Sequence, residues 1–263
     1  MENVERYLKV ASEAALKAGS FLLKGLKQKK QVDFKGQVDL VTSFDRQSEE
    51  IIFEEINRSF PDHSFLAEEA ISKLNQSDFC WVVDPLDGTT NFAHGLPIFC
   101  ISIALVRHGE ILAGVVYDPN REEMFLAGKG YGASLNGVTI MVSETGELDK
   151  SLLATGFPYD VRTSPNNNLS HFSNFAVRAQ AVRRLGSAAL DLCYVACGRF
   201  DGFWEIKLKP WDLAAGVLIV KEAGGRVTDL YGGEFELSSP DVVASNNLIH
   251  KSMLEIIKLG LVK

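Results

Sequence analysis

The chain is poor in cysteine. Its four cysteines, Cys80, Cys100, Cys193 and Cys197, all sit inside apolar segments, so they read as small buried hydrophobes in a reducing compartment rather than as a disulfide framework. The four-residue step from Cys193 to Cys197 is by itself no metal pair. No apolar run approaches the roughly 20 residues needed to span a bilayer. The start, Met1 to Lys9, is charged and lacks the apolar core of a signal peptide. A cytoplasmic location and no membrane partner are therefore expected. The histidines, His63, His94, His108, His171 and His250, show no ligand spacing such as HExxH, and His94 reads as a loop residue. Ser187 carries no nucleophile-elbow signature, which argues against serine-hydrolase chemistry. Internal repeats, low-complexity tracts and long linkers are also missing.

Positive charge is in deficit, with 27 Lys and Arg against 34 Asp and Glu for a net charge of −7. This disfavours general nucleic-acid binding, and the same field would repel an anionic substrate. Bound cations would resolve that conflict, because a metal is usually the largest local charge in its site. With 46% hydrophobic and 23% charged residues over 263 positions, the composition is that of a well-packed globular protein. It forms either one large domain or two closely packed halves. The halves are placed at 1–148 and 149–263.

Apolar residues at helical spacing predict a helix over residues 3–29, with Tyr7, Val10, Ala11, Ala14, Ala15, Ala18 and Leu22 facing the core. Lys24, Lys27, Lys29 and Lys30 suit its negative end. A second helix is predicted from Ser43 to before Pro61, with Glu49 and Glu50 on its wet face and Ile51, Ile52 and Ile56 inside. Strands follow at 64–67, 79–83, 99–107, 111–118 and 123–127, the succession of an antiparallel meander. Beyond it, strands near 152–155, 181–184, 202–206 and 242–244 alternate with helices near 167–178, 187–196, 212–223 and 248–259. Such interleaving suggests a layered sandwich.

The densest chemical signal is Trp81-Val82-Val83-Asp84-Pro85-Leu86-Asp87-Gly88-Thr89-Thr90-Asn91. An apolar strand delivers Asp84, and Asp87 returns a second carboxylate to the same place. Two such groups repel unless a cation lies between them, and a hard divalent ion such as magnesium prefers oxygen ligands. Gly88 allows close backbone approach, and amides at the following helix start suit phosphate. An isolated Asp-Gly would be an ordinary turn. Glu68-Glu69 closes the strand at 64–67, so a carboxylate there meets Asp84 if the two strands are neighbours. Asp45 and Asp212 stand near helix starts, where each alone would be a cap.

Val38-Asp39-Leu40-Val41-Thr42 with Asp45, Glu68-Glu69, Asp84 to Asn91, Gly186-Ser187-Ala188-Ala189 and Trp211-Asp212-Leu213-Ala214-Ala215-Gly216 occur in the order seen in the inositol monophosphatase family. The sequence resembles that family from about Val38 to Ala244. The resemblance implies an α+β, five-layered αβαβα sandwich, homodimeric assembly, lithium sensitivity and a magnesium-dependent phosphomonoesterase. It implies that Glu68, Asp84, Asp87, Asp212 and the Leu86 carbonyl bind two or three magnesium ions, Glu68 serving the ion that activates water. Asp45 and Thr89 would orient and deprotonate that water, and Gly88 and Thr89 would bind phosphate through their amides. Asp87, Asp212, Ser187, Ala188 and Glu205 would meet the substrate, Glu205 through inositol hydroxyls. Ala67 and Ser187 replace a common glycine and a frequent threonine without removing a ligand. Lys207 and Lys209 lie in the segment that helps to choose the substrate.

Relatives of this fold hydrolyse fructose 1,6-bisphosphate, 3′-phosphoadenosine 5′-phosphate or NADP as well as inositol 1-phosphate. Glu205 favours a polyol monophosphate, since an acid there accepts hydroxyl hydrogen bonds and repels a second phosphate; Lys207 or Lys209 would reverse that preference. Some bacterial members that resemble this sequence also act as partners of the transcription machinery, a role for which Lys24 to Lys30 is the local candidate.

Overall fold

Helical periodicity takes effect first in α1 (Val4–Leu26), where all seven residues assigned to the core are buried. A computed structural model describes residues 4–26, 32–34 and 40–260. Lys27, Lys29, Lys30, Val38 and Asp39 lie outside the described residues. The strands β1 (Val32–Phe34) and β2 (Leu40–Thr42) pair antiparallel and lead into α2 (Ser43–Ser59), which stops before Pro61. Glu50 is exposed as expected. Glu49 is not on the wet face: it is 1% exposed, for a reason that belongs to the site below.

The first sheet comprises β3 (Ser64–Ala67), β4 (Ser72–Lys73), β5 (Phe79–Asp87), β6 (Cys100–Arg107), β7 (Glu110–Asp118), β8 (Glu123–Gly128), β9 (Gly132–Leu135) and β10 (Val138–Thr139). Its spatial order is β10-β9-β8-β7-β6-β5-β3-β4. From β5 to β10 it is the expected antiparallel meander, but β3 lies parallel to β5. The meander also runs two strands past the predicted end. Asn136 and Gly137, with φ of 50° and 79°, form the left-handed pair that a tight hairpin requires.

The short helix α3 (Thr89–Ala93) follows β5, and the rest of the chain supplies β11 (Leu152–Thr155), α4 (Leu169–Ala176), β12 (Ala181–Arg183), α5 (Ala188–Ala196), β13 (Gly202–Glu205), α6 (Pro210–Glu222), β14 (Arg226–Thr228), β15 (Val242–Ser245) and α7 (His250–Gly260). The second sheet is ordered β12-β11-β13-β15-β14, with β11 parallel to both its neighbours. The strand β14 escapes the sequence reading because it has only three residues after Gly225, too few to show alternation.

The layers run α1 and α2, first sheet, α5 and α6, second sheet, then α4 and α7. Strand β6 shows why. Ile101, Ile103 and Leu105 join the core under α1 and α2, while Cys100, Ala104 and Val106 join the core shared with α5 and α6. Period-two alternation with both faces covered gives a continuously apolar strand. The middle helix α6 is buried from Leu213 to Val220, apolar on every side because sheets enclose it. Among the described residues no helix is long and apolar enough to cross a membrane.

Gly114 on β7 sets how closely α6 approaches. A Cβ there would lie 2.9 Å from the Ala215 carbonyl oxygen and 3.0 Å from its Cα, both backbone atoms that cannot rotate away. Gly114→Ala is expected to lower the unfolding free energy by about 1–3 kcal/mol through overpacking. A urea midpoint equal to that of the parent would contradict so tight a contact.

Candidate active site

Parallel pairing of β3 with β5 aligns Leu66 with Val82 and Ala67 with Val83. The ladder continues, as the Glu68 N–H donates to the Val83 carbonyl at 3.2 Å. Glu68 and Asp84 therefore leave neighbouring strand ends side by side, the condition on which their meeting depended. Asp84 is 2% exposed, and its Oδ1 accepts the Leu86 N–H at 3.0 Å. This is an Asx-type turn, so the turn role and the site role coexist in one residue. Gly88, at φ +99°, turns the chain into α3; a Cβ there would sit 2.9 Å from the Ile98 carbonyl oxygen. Only glycine meets both demands.

One face of α2 holds both loops. Asp45, Ser48 and Glu49 stand three and four residues apart and project together. The Thr89 hydroxyl donates to Asp45 Oδ1 at 2.8 Å and lies 3.0 Å from the Leu86 carbonyl oxygen. The Ser48 hydroxyl donates to the Pro85 carbonyl at 2.8 Å. The Glu49 carboxylate accepts the N–H groups of Glu69, Ala70 and Ile71 at 2.8, 2.9 and 2.6 Å. Three donors compensate the buried charge, which is why Glu49 leaves the wet face.

The later part of the chain completes the enclosure. Asp87 Oδ2 accepts the Ser187 hydroxyl at 2.7 Å and the Ala189 N–H at 2.8 Å, so the start of α5 fixes it. Asp212 is the third residue of α6 rather than its cap, and its Oδ2 accepts the Lys209 N–H at 2.7 Å. Glu205 ends β13 beside Gly156, where any side chain would overlap its carboxyl group. Asn91 ties α3 to this half by donating to the Leu185 carbonyl at 2.8 Å.

These residues enclose a cavity of about 300 Å³. Glu68, Asp84, Leu86, Asp87 and Asp212 line it, as do Gly88, Thr89, Ser187, Ala188 and Glu205. Asp45 sits behind Thr89, 1% exposed. Burial first, then the charges of Glu68, Asp87 and Asp212, push the Asp84 carboxyl well above the usual range. Asp212 is raised likewise by burial and then by Asp87. Asp87 is raised by burial, opposed by the hydrogen bonds from Ser187 and Ala189. Glu205 is pushed up to about 8 by burial and by Asp87, with Arg184 opposing.

The donor set fits hard divalent cations. Among the described residues no salt bridge reaches Asp84, Asp87 or Asp212, and the oxygens not used by the scaffold are carboxylate or carbonyl. No three acidic, histidine or cysteine side chains among the described residues already close on one point as a metal shell. They ring the cavity.

Three contributors were not foreseen from the sequence. Glu49 had a usable signal, its i+4 spacing from Asp45. Arg184 had only its place ahead of the Gly186-Ser187 segment. Asp191 had none: it is 1% exposed on α5 and its Oδ1 has no partner, with burial and then Glu205 holding its carboxyl well above the usual range. His94 ends α3 and does not line the cavity. The four cysteines are unbridged, as expected.

Comparison with known proteins gives one result throughout. The profile described as "Inositol monophosphatase family" matches residues 3–259. An inositol-1-monophosphatase of Synechocystis sp. is 48% identical over 95% of this chain and 88% of its own length. A protein of Pasteurella multocida named Nus factor SuhB is 44% identical over 95% of each chain. The solved structure of the extragenic suppressor protein suhB from Bartonella henselae superposes with a TM-score of 0.93 at 41% identity, covering 97% of this chain and 100% of that one.

Two outcomes are expected. Glu49→Gln replaces an acceptor-only carboxylate facing three N–H groups with an amide whose NH2 opposes one of them. A loss of about 2–4 kcal/mol in stability should follow, and a urea midpoint matching the parent would exclude the clamp. The second concerns pH in the presence of a chelator. Glu205 has an ordinary value of 4.5 and a folded value of about 8, so the folded state holds a proton that the unfolded state releases. Its contribution is full below the ordinary value and is lost as pH rises toward the folded one, by an amount on the order of a few kcal/mol. Thermal melts should therefore fall between about pH 5 and about pH 8; a flat profile would contradict this burial.

Proposed function

The chain belongs to the inositol monophosphatase family, and we propose that this phosphatase hydrolyses a polyol phosphate monoester, inositol 1-phosphate first, with magnesium. One observation carries the reading: the Thr89 hydroxyl is held between Asp45 and the Leu86 carbonyl at the wall of a cavity ringed by carboxylates. Two or three magnesium ions would be held by Glu68, Asp84, Asp87, Asp212 and the Leu86 carbonyl. Bound there, they supply Lewis acidity, which lowers the pKa of water and offsets phosphoryl charge.

The remaining work falls to the chain's own groups. Asp45, buried and accepting from Thr89, leaves a Thr89 lone pair for an attacking water. The water's proton passes to Thr89 Oγ1 as the threonine's own passes to Asp45, so the pair acts as one base. The amides of Gly88 and Thr89 face the phosphoryl oxygens, where fixed dipoles stabilise developing charge. Ser187 and Ala188 wall the alcohol side, and Asp87, Asp212 and Glu205 offer oxygens to its hydroxyls. No phospho-enzyme is needed. Cytoplasmic location, homodimeric assembly and lithium sensitivity belong to the same proposal.

Lys207 bears on the choice of alcohol. Its ammonium lies 2.7 Å from Asp160 Oδ2 and 2.9 Å from Ser164 Oγ, so it is already engaged. This supports a monophosphate. Lys209, which lines the cavity, is the cation through which fructose 1,6-bisphosphate or a nucleotide phosphate would compete. A second reading, partnership with the transcription machinery, is carried by the relative named Nus factor SuhB. Of its candidate basic stretch only Lys24 is described, and retention of transcription proteins from cell extract on the immobilised chain would test it.

Asp45→Asn should lower kcat by about 100-fold or more in a phosphate-release assay with magnesium and inositol 1-phosphate. Turnover surviving within a few-fold would sink the assignment of the base. Assayed side by side, inositol 1-phosphate should be cleaved with a higher kcat/KM than fructose 1,6-bisphosphate; a clear excess on the bisphosphate would reassign the substrate.

A further inference from the structure

Two chain segments leave the second sheet at the same edge. Strands β11 and β13 are parallel, with Thr155 opposite Trp204, so Gly156 and Glu205 emerge together. The first segment runs through Phe157, Pro158 and Tyr159, and the second through Ile206 and Lys207; all of these line the cavity. The first is folded on itself, with the N–H groups of Thr163 and Ser164 donating to the Asp160 carbonyl at 3.0 and 2.9 Å. That turn presents the Asp160 carboxylate and the Ser164 hydroxyl to Lys207 Nζ.

Lys207 occupies an unusual backbone position for its type. Its φ is +61°, in the left-handed region that side chains other than those of glycine, asparagine and aspartate seldom adopt. The Lys207 N–H donates to Asp241 Oδ1 at 3.0 Å, and the Leu208 N–H donates to the Pro240 carbonyl at 2.7 Å. Both bonds have main-chain donors and hold the turn whatever side chain residue 207 bears. A glycine would satisfy this turn with less strain, so what lysine adds is its ammonium. Strain kept beside a functional cavity points to a use for the side chain that causes it.

We infer that Lys207 is a positioning residue, clipping the loop of residues 156–164 to the strand end that carries Glu205 and so setting how closely the cavity fits the alcohol part of the substrate. The inference rests on reading that cavity as the substrate site. The ion pair is part-exposed, with side chains 30% and 49% accessible. Its strength is therefore modest and falls with salt.

The test uses the full chain carrying Lys207→Gly, Asp160→Asn or both. Amide hydrogen exchange over residues 157–164, read without metal or substrate, should quicken by about fivefold in each single variant and no further in the double. Lys207→Gly should melt at or above the parent temperature, since glycine relaxes the turn, which separates a lost clip from misfolding. With magnesium, KM for inositol 1-phosphate should rise by about three- to fivefold with kcat held within about twofold, and raising salt should shrink the difference from the parent.

Unchanged exchange in both single variants overturns the inference. So does faster exchange with KM unmoved, which leaves Lys207 a structural link without influence on fit. An effect confined to bisphosphate substrates overturns it too, by making Lys207 a phosphate ligand. If the parent cleaves no phosphate monoester, the functional reading fails by itself, and the exchange measurement still decides whether the clip exists.

Discussion

Repulsion among Glu68, Asp84, Asp87 and Asp212, gathered in one largely buried cavity, is the constraint to which the surrounding structure answers. Two like charges at about 4 Å cost roughly 4 kcal/mol even at an effective dielectric constant of 20, and burial adds a desolvation penalty. A flexible site would relieve that cost by moving apart. Here movement is opposed at the three aspartates by bonds made with one carboxylate oxygen. Asp84 accepts from the Leu86 amide, Asp87 from Ser187 and the Ala189 amide, and Asp212 from the Lys209 amide. Division of labour within each carboxylate fixes the group and leaves its other oxygen for the cavity.

The same economy explains α2. Asp45, Ser48 and Glu49 reach three points on the two loops that build the acidic end: Thr89, the Pro85 carbonyl and the turn after Glu68. A single rigid helix thus sets the distances between them. Glu49 carries a charge of the same sign as the site and is tolerated because three N–H groups surround it. It stabilises by satisfying the backbone of a turn that has no strand partner of its own. On the opposite side, α6 brings Asp212 from the middle layer, and it approaches the first sheet closely where Gly114 meets Ala215. The site therefore depends on the interlayer packing as much as on its own motif.

Much of this was legible from residue pattern. The seven core positions of α1, the strand that delivers Asp84 and the helix start at Thr89 follow from spacing, because burial is periodic and local. Glu68 beside Asp84 was legible only as a condition, since parallel pairing joins residues whose connection carries no pairing signal. Glu49 was misplaced because charge is a fair guide to exposure only when no buried donors await it, and those donors lie twenty residues away on another element. The hairpin at Asn136-Gly137 was written plainly and passed over, its flanking strands being too short to show alternation. Asp191 was beyond reach: nothing in a helical stretch of apolar residues announces which neighbour an embedded acid will face.

The net charge of −7, a field that would repel an anionic substrate, has a consequence at the cavity. Glu68, Asp84, Asp87, Glu205 and Asp212 line one cavity, so without bound cations its field would repel a phosphate group. On the proposed function, cations at Glu68, Asp84, Asp87 and Asp212 would reverse that field, and affinity for phosphate would then depend on metal occupancy rather than on basic side chains. The bases that do line the cavity are Arg184, Lys207 and Lys209, and one of the three is paired with Asp160. Charge in this molecule divides the substrate in two. On the proposed function, its phosphate would be recognised through ions, and its alcohol by shape, by the Glu205 carboxyl and by the loop that faces it.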